Sequence, residues 1–158
     1  MTDKTCTLVF LQKEGQLLLA MKKRGFGTGY WNGVGGKIEP GETEEQALVR
    51  ESQEEIGVTP TKWYKVAAHD FVMDVDTDQP WHMYVHAYLC DEWQGEPTES
   101  EEMAPQWFDI HDIPYNKMWQ DDIVWLPQML LGKKLRGTFH FDRDNAMTKA
   151  SMTIVSEL

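Results

Sequence analysis

The chain has 158 residues, 41% of them hydrophobic and 26% charged, which is enough to bury a core without disulfide or metal staples. A formal net charge of −11 repels polyanions, which argues against polymeric nucleic acid as a partner but not against a small polyanion arriving with a divalent cation. Cys6 and Cys90 offer neither a disulfide framework nor a metal-ligand pair, the N-terminal run is not expected to be a signal peptide, and no apolar run nears the ~20 residues of a membrane span. The expectation is a soluble, reduced, cytoplasmic protein with no membrane partner.

In chain order, residues 5–11 (TCTLVFL) and 16–21 (QLLLAM) read as strands joined by a tight turn at Glu14-Gly15. Residues 25–36, dense in glycine, read as a loop around a short strand. Thr43 can cap a helix running to about Ile56, where Gly57 supplies a left-handed stop. Residues 62–75 and 81–91 alternate well enough to be strands, with 76–80 as their turn. Residues 93–105 read as an acidic loop, 106–109 as a short strand, and 121–132 as a second helix ended by Gly132. Two short strands near 136–142 and 151–155 complete the tail. No repeat or linker interrupts the pattern, so residues 1–158 are expected to form one mixed domain with helices covering a sheet.

The segment from Gly36 to Val58 carries chemistry. On a helix, Glu51, Glu54 and Glu55 stand at i, i+3 and i+4 and share one face. Val49 and Ile56 are expected on the opposite face, toward the core. Between residues 39 and 55 there are seven glutamates and one basic residue, Arg50. Like charges at these spacings destabilise a helix, and a hard cation with oxygen ligands compensates. Arg50, one turn before Glu54, can hold a carboxylate in place, and the loop could turn Glu42 back toward the same face. Gly36, Glu42, Arg50, Glu51, Glu54, Glu55 and Gly57 coincide by chance on the order of once in 10⁸ positions.

These residues resemble the Nudix box, G-x5-E-x7-R-E-U-x-E-E-x-G-U, with one departure: Ser52 stands where the family places a bulky aliphatic. The resemblance implies an α/β fold, the Nudix α/β/α sandwich with a mixed central sheet. It also implies Mg2+, with Mn2+ able to substitute, held by Glu51, Glu54, Glu55 and the Gly36 carbonyl. Glu54 or Glu55 takes the proton of the attacking water, and the sequence does not separate them.

Outside the box, residues 21–27, Trp31-Asn32-Gly33, Glu102-Met103, Trp107-Phe108 and 118–122 are similar, in order and spacing, to the MutT-like oxidised-purine nucleoside triphosphatases. That resemblance implies hydrolysis of a small nucleotide to the monophosphate and pyrophosphate by a monomer. It places the purine between Trp119 and apolar side chains such as Phe26, Phe71, Met83 and Met103. Asn32, Asp121 and Asp122 would bond the base edge, Thr7 and Lys22 would lie near sugar and phosphates, and Glu102 would approach the metals from a loop. Adjacent carboxylates in an aromatic pocket cannot both ionise cheaply, so one holds a proton and donates while its neighbour accepts. Exchanging that proton would let one pocket read both 8-oxo-guanine and 2-hydroxy-adenine.

Trp119 directly precedes the acidic pair and is the better base platform, leaving Trp125 to the core. The five histidines show no ligand spacing beyond His82 and His86, which read as ordinary packing. Two rivals remain: another Nudix substrate (dinucleoside polyphosphate, nucleotide sugar or RNA cap), and a nucleotide sensor with a dead box. No basic extension favours the former, and the intact carboxylates disfavour the latter.

Overall fold

The apolar N-terminal run forms β1 (Lys4–Lys13), whose neighbours in alternation face opposite ways: Val9 and Leu11 enter one core, Phe10 another. A strand buried on both sides lies inside a layered structure, and the computed structural model, which describes residues 2–158, bears this out. Glu14 and Gly15, both at positive φ, turn β1 into β2 (Gln16–Lys22). Then follow β3 (Trp31–Asn32), β4 (Val34–Lys37), α1 (Glu44–Ile56), β5 (Thr59–Met73), β6 (Trp81–Gln94), β7 (Met103–Asp109), α2 (Asp122–Leu130), β8 (Lys134–Phe141) and β9 (Met147–Val155).

The sheet runs β3-β2-β1-β6-β5-β8-β9, with β4 also paired to β1 and β7 to β2. It is mixed, as expected: β1–β6 and β5–β8 are parallel, and the other pairs antiparallel. On one face Leu48 and Ile56 of α1 pack with Val9, Leu11, Tyr88 and Cys90. On the other, Trp125, Leu126 and Met129 of α2 pack with Phe10, Leu135 and Phe139. Both cysteines are buried free thiols. No helix among the described residues is long and apolar enough to cross a membrane.

Thr43 caps α1 through a full capping box with Gln46, and Gly57 ends it at φ 70°. Elsewhere the boundaries differ from expectation. The acidic loop is shorter than 93–105, because β6 continues to Gln94 and β7 begins at Met103. Pro105 is admitted within β7 because, opposite Ala20 on a strand at the sheet's margin, its missing N–H does no harm. The last strand is also longer than 151–155, because the β8 ladder extends its pairing back to Met147. Glycines 25, 27 and 29 do sit in a loop at positive φ. Gly33, Gly35 and Gly36, by contrast, flank or occupy β4 for close approach: a Cβ on Gly35 would come within 1.9 Å of the Thr7 carbonyl oxygen of β1.

Candidate active site

Helix α1 is anchored at its start and charged along its length. Glu44 Oε1 accepts from the Tyr88 hydroxyl and from Lys65 Nζ at 2.9 Å, which fixes the first turn on the sheet. Two turns on, Arg50 organises the acidic end. Its Nε and Nη2 grip both oxygens of Glu42 (2.7 and 2.9 Å), Nη2 also donates to the Lys37 carbonyl (3.0 Å), and Nη1 reaches Glu51 (2.9 Å) and Glu54 (3.3 Å). The loop does turn Glu42 back, as expected. Hydrogen bonds from Arg50 and from the Glu39 N–H hold its carboxyl down to about 2.

The three helical carboxylates are not equivalent. The Glu54 side chain is 60% exposed and that of Glu51 13%, while Glu55 is buried. The core-facing stripe of α1 is Ala47, Leu48, Ser52, Glu55 and Ile56, so Glu55 lies on it and Val49 is half-buried beside it. This corrects the expectation of a clean split between acidic and apolar faces. Ser52 is fully buried, and its hydroxyl donates to the Leu48 carbonyl at 2.8 Å; a small residue at this position satisfies its own polar group.

Among the described residues, neither Glu55 oxygen has a donor. Burial first, then the adjacent Glu51 carboxylate, push Glu55 up to about 9. A buried carboxylate with free oxygens beside a second carboxylate suits a hard cation, and the all-oxygen donor set matches a divalent one. Gly36 completes the cradle, since a Cβ there would stand 2.6 Å from Glu51 Oε1. The described residues hold no ready cluster of three or more acidic, His or Cys side chains at metal-binding distance. Instead Arg50 holds Glu54, and Lys22 Nζ holds Glu102 at 3.2 Å. The donors fit a cation, provided those two carboxylates exchange partners.

One cavity gathers Thr7, Lys22, Phe26, Asn32, Gly36, Phe71, Met83, Met103, Trp119, Asp121 and Asp122 in its lining. Arg50, Glu51, Glu54, Glu55 and Glu102 stand outside that lining, and Glu51 and Glu102 adjoin it. Gly36 touches both the cavity and Glu51, and Lys22 both the cavity and Glu102. Asn32 Oδ1 is spent on the Gly33 N–H (2.8 Å), which leaves its amide N–H2 for a ligand. Asp121 and Asp122 are buried, as is Thr7, whose hydroxyl has no partner among the described residues. Trp125 Nε1 donates to Asp121 Oδ2 at 2.9 Å, while Asp122 Oδ2 has no partner among the described residues. Burial raises Asp121 to about 6, and burial plus its charged neighbour raise Asp122 well above the usual carboxylate range. Both shifts favour the protonated form, and mutual repulsion opposes ionising both carboxyls at once.

The base platform differs in one respect from expectation. Trp119 lines the cavity, but its ring lies 5.3 Å from that of Phe26. A base sandwiched between them needs about 7 Å, two contact distances, so these two rings as they stand leave no room for one. Phe26 is 44% exposed and also meets the Trp81 ring edge-on at 6.2 Å. Tyr30, which the sequence reading passed over, stacks on Trp119 at 4.8 Å and supports the platform. Lys4 was missed too; its ammonium sits 5.3 Å from Phe26 and 5.2 Å from Trp81. Lys23 and Arg24 turn away, to Glu99 and Glu101. His82 pairs with Asp70 at 2.8 Å, consistent with packing rather than ligation.

The NUDIX domain model matches residues 1–129. The chain is 45% identical over 157 residues to the oxidized purine nucleoside triphosphate hydrolase of Danio rerio, with 99% of each chain covered. It is 43% identical over 148 residues to the Mus musculus protein of the same name, with 93% of each covered. Among solved structures, the MutT protein of Bacillus halodurans superposes with a TM-score of 0.81 at 25% identity, covering 94% of this chain and 97% of its own.

Proposed function

Because this chain belongs to the Nudix family, we propose that it hydrolyses oxidised purine nucleoside triphosphates to the nucleoside monophosphate and pyrophosphate, cleansing the nucleotide pool. The substrates are 8-oxo-dGTP and 2-hydroxy-dATP, with O6-methyl-dGTP as a further candidate. Two animal relatives similar over nearly their whole length carry that activity in their names. The observation that carries the reading is the buried Asp121–Asp122 pair facing the same cavity as Trp119, Lys22 and Gly36.

In this reading Glu51, Glu54, Glu55, Glu102 and the Gly36 carbonyl hold the metal, and the chain acts as a monomer on a small nucleotide. Magnesium, or manganese in its place, supplies charge neutralisation along the phosphates and a polarised water. The rest falls to the chain's own side chains. Arg50 fixes Glu51 and Glu54 in direction, and Lys22 leaves Glu102 for a phosphate oxygen. Glu54 or Glu55 accepts the water's proton; Glu55 must first lose the one its burial favours. Trp119 stacks on the purine, and the amide of Asn32 and the aspartate pair bond its edge. The proton on that pair sits on whichever oxygen faces an acceptor, so one pocket serves both a lactam and an amine edge.

Competition among 8-oxo-dGTP, 2-hydroxy-dATP, O6-methyl-dGTP and the undamaged dNTPs with magnesium tests this. At least one damaged purine should exceed its undamaged parent in kcat/KM by ~10-fold or more, the discrimination that buried hydrogen-bonding groups supply. Equal use of dGTP would refute the sanitising role and leave the hydrolase.

A further inference from the structure

His69, on β5, lines the same cavity as the aspartate pair. It is 3% exposed, and among the described residues neither ring nitrogen has a hydrogen-bond partner of good geometry. Three aromatic rings box it in edge-to-face: Trp125 at 4.7 Å, Phe139 at 5.1 Å and Phe71 at 6.0 Å. Across the β5–β8 ladder its partner is Gly137, where a Cβ would come within 3.0 Å of His69 Nδ1. Nδ1 therefore abuts the sheet, and Nε2 is the nitrogen farther from the strand.

An apolar box filled with an imidazole is costly to stability. Leucine would pack there without stranding polar atoms, and buried groups with no partner are rare in folded proteins. Such a group is retained where something outside the chain satisfies it. The setting indicates what. Trp125, whose ring edges onto His69, is the same indole that donates to Asp121, so His69 and the base-reading pair flank one side chain. Burial pulls the imidazole down to about 4, which leaves it neutral with one N–H donor and one bare acceptor. That makes it a third polar reader beside the two carboxyls, of different chemistry.

We propose that His69 is a specificity-determining residue, its neutral imidazole hydrogen-bonding a polar substituent of the purine held beside Asp121 and Asp122. This rests on the purine nucleotide reading of the cavity. Selection then follows from a deficit. A base that supplies the missing partner gains a bond, whereas its undamaged parent leaves His69 as unsatisfied as before.

The test compares wild type with His69→Leu and His69→Gln, Gln placing an amide near the Nε2 position. The readouts are the melting temperature without ligand and the kcat/KM ratio of 8-oxo-dGTP to dGTP and of 2-hydroxy-dATP to dATP. His69→Leu should melt higher by ~2–4 °C, since it removes stranded polar atoms, yet cut at least one damaged-to-parent ratio ~10-fold. His69→Gln should recover most of that ratio. A Leu variant that melts lower, or that keeps both ratios, overturns the proposal, as does a Gln variant no more selective than Leu. If wild type turns over none of these nucleotides, the substrate reading fails by itself, and the order of melting temperatures still decides whether the imidazole is held unsatisfied.

Discussion

Five hydrogen bonds converge on the Arg50 guanidinium, four of them to three separate carboxylates. Lysine keeps the charge but not the fork, so Arg50→Lys releases Glu42 or Glu51. Its kcat should fall roughly 10- to 100-fold, the usual cost of losing a group that orients a metal ligand. Steady-state kinetics at saturating magnesium check this, and an unchanged kcat argues that Arg50 is structural. The aspartate pair makes a second prediction, this time about pH. Both folded-state values are raised, Asp121 to about 6 and Asp122 further, so the folded state binds protons that the unfolded state has released. Stability is therefore full below about pH 4 and is lost as pH rises through about 6 and beyond. Asp122→Asn should raise Tm at pH 8 and leave it unchanged at pH 4, which thermal melts at the two pH values would show; an equal shift at both would contradict the shared proton. Asp121→Asn and Asp122→Asn should also shift base preference differently, whereas equal, base-independent losses would count against proton exchange. The acidic pair and Thr43 were legible in the sequence because their signals are local. The burial of Glu55, the orphaned His69 and the Tyr30 support were not, because each depends on a residue far off in the chain meeting it across the fold.

At the scale of elements, α1 and β4 must sit almost in contact for the carboxylates to face the cavity. The glycines of β4 make that possible. Gly36→Ala would put a methyl 2.6 Å from Glu51 Oε1, and Gly35→Ala would drive one into the β1 backbone. The two substitutions should separate. Gly36→Ala costs activity by pushing Glu51 aside, roughly tenfold or more in kcat, with Tm nearly kept. Gly35→Ala costs ~3 kcal/mol or more of stability, because a backbone clash cannot be relieved by a rotamer change. Denaturation and kinetics on the two variants check this; a Gly36→Ala enzyme with full activity would mean that β4 does not cradle Glu51. The sequence displayed α1 with both its caps, and the apolar strands β1 and β2, because periodicity and capping are short-range. It marked 25–36 as a loop around one short strand because glycine density signals both turns and close approach, and only the pairing of β4 with β1 tells them apart. The start of β7 was hidden for a similar reason, since Pro105 is admissible only on a strand whose free edge needs no donor.

For the whole molecule, the net charge of −11 is set against local cations: Lys4, Lys22 and Lys37 all line the cavity. A mononucleotide sees mostly the local cations, a polymer mostly the overall field. A single-stranded oligonucleotide carrying 8-oxo-guanine should therefore fail to inhibit hydrolysis of the free nucleotide at physiological salt, with an inhibition constant above ~0.1 mM; micromolar inhibition would contradict this. The mixed sheet and its two covering helices were expected as a set from the box and its surroundings, and the structure agrees. What composition and pattern could not convey is that Lys22 bridges the two halves of the site, pairing with Glu102 while lining the base cavity.

The most direct measurement is product analysis of 8-oxo-dGTP hydrolysis with magnesium by wild type and Glu55→Gln. Wild type should release 8-oxo-dGMP and pyrophosphate, and the variant should turn over at least ~100-fold more slowly, as loss of a carboxylate that binds the cation or accepts the proton implies. Release of inorganic phosphate and the diphosphate, or a Glu55→Gln enzyme as fast as wild type, would contradict the account.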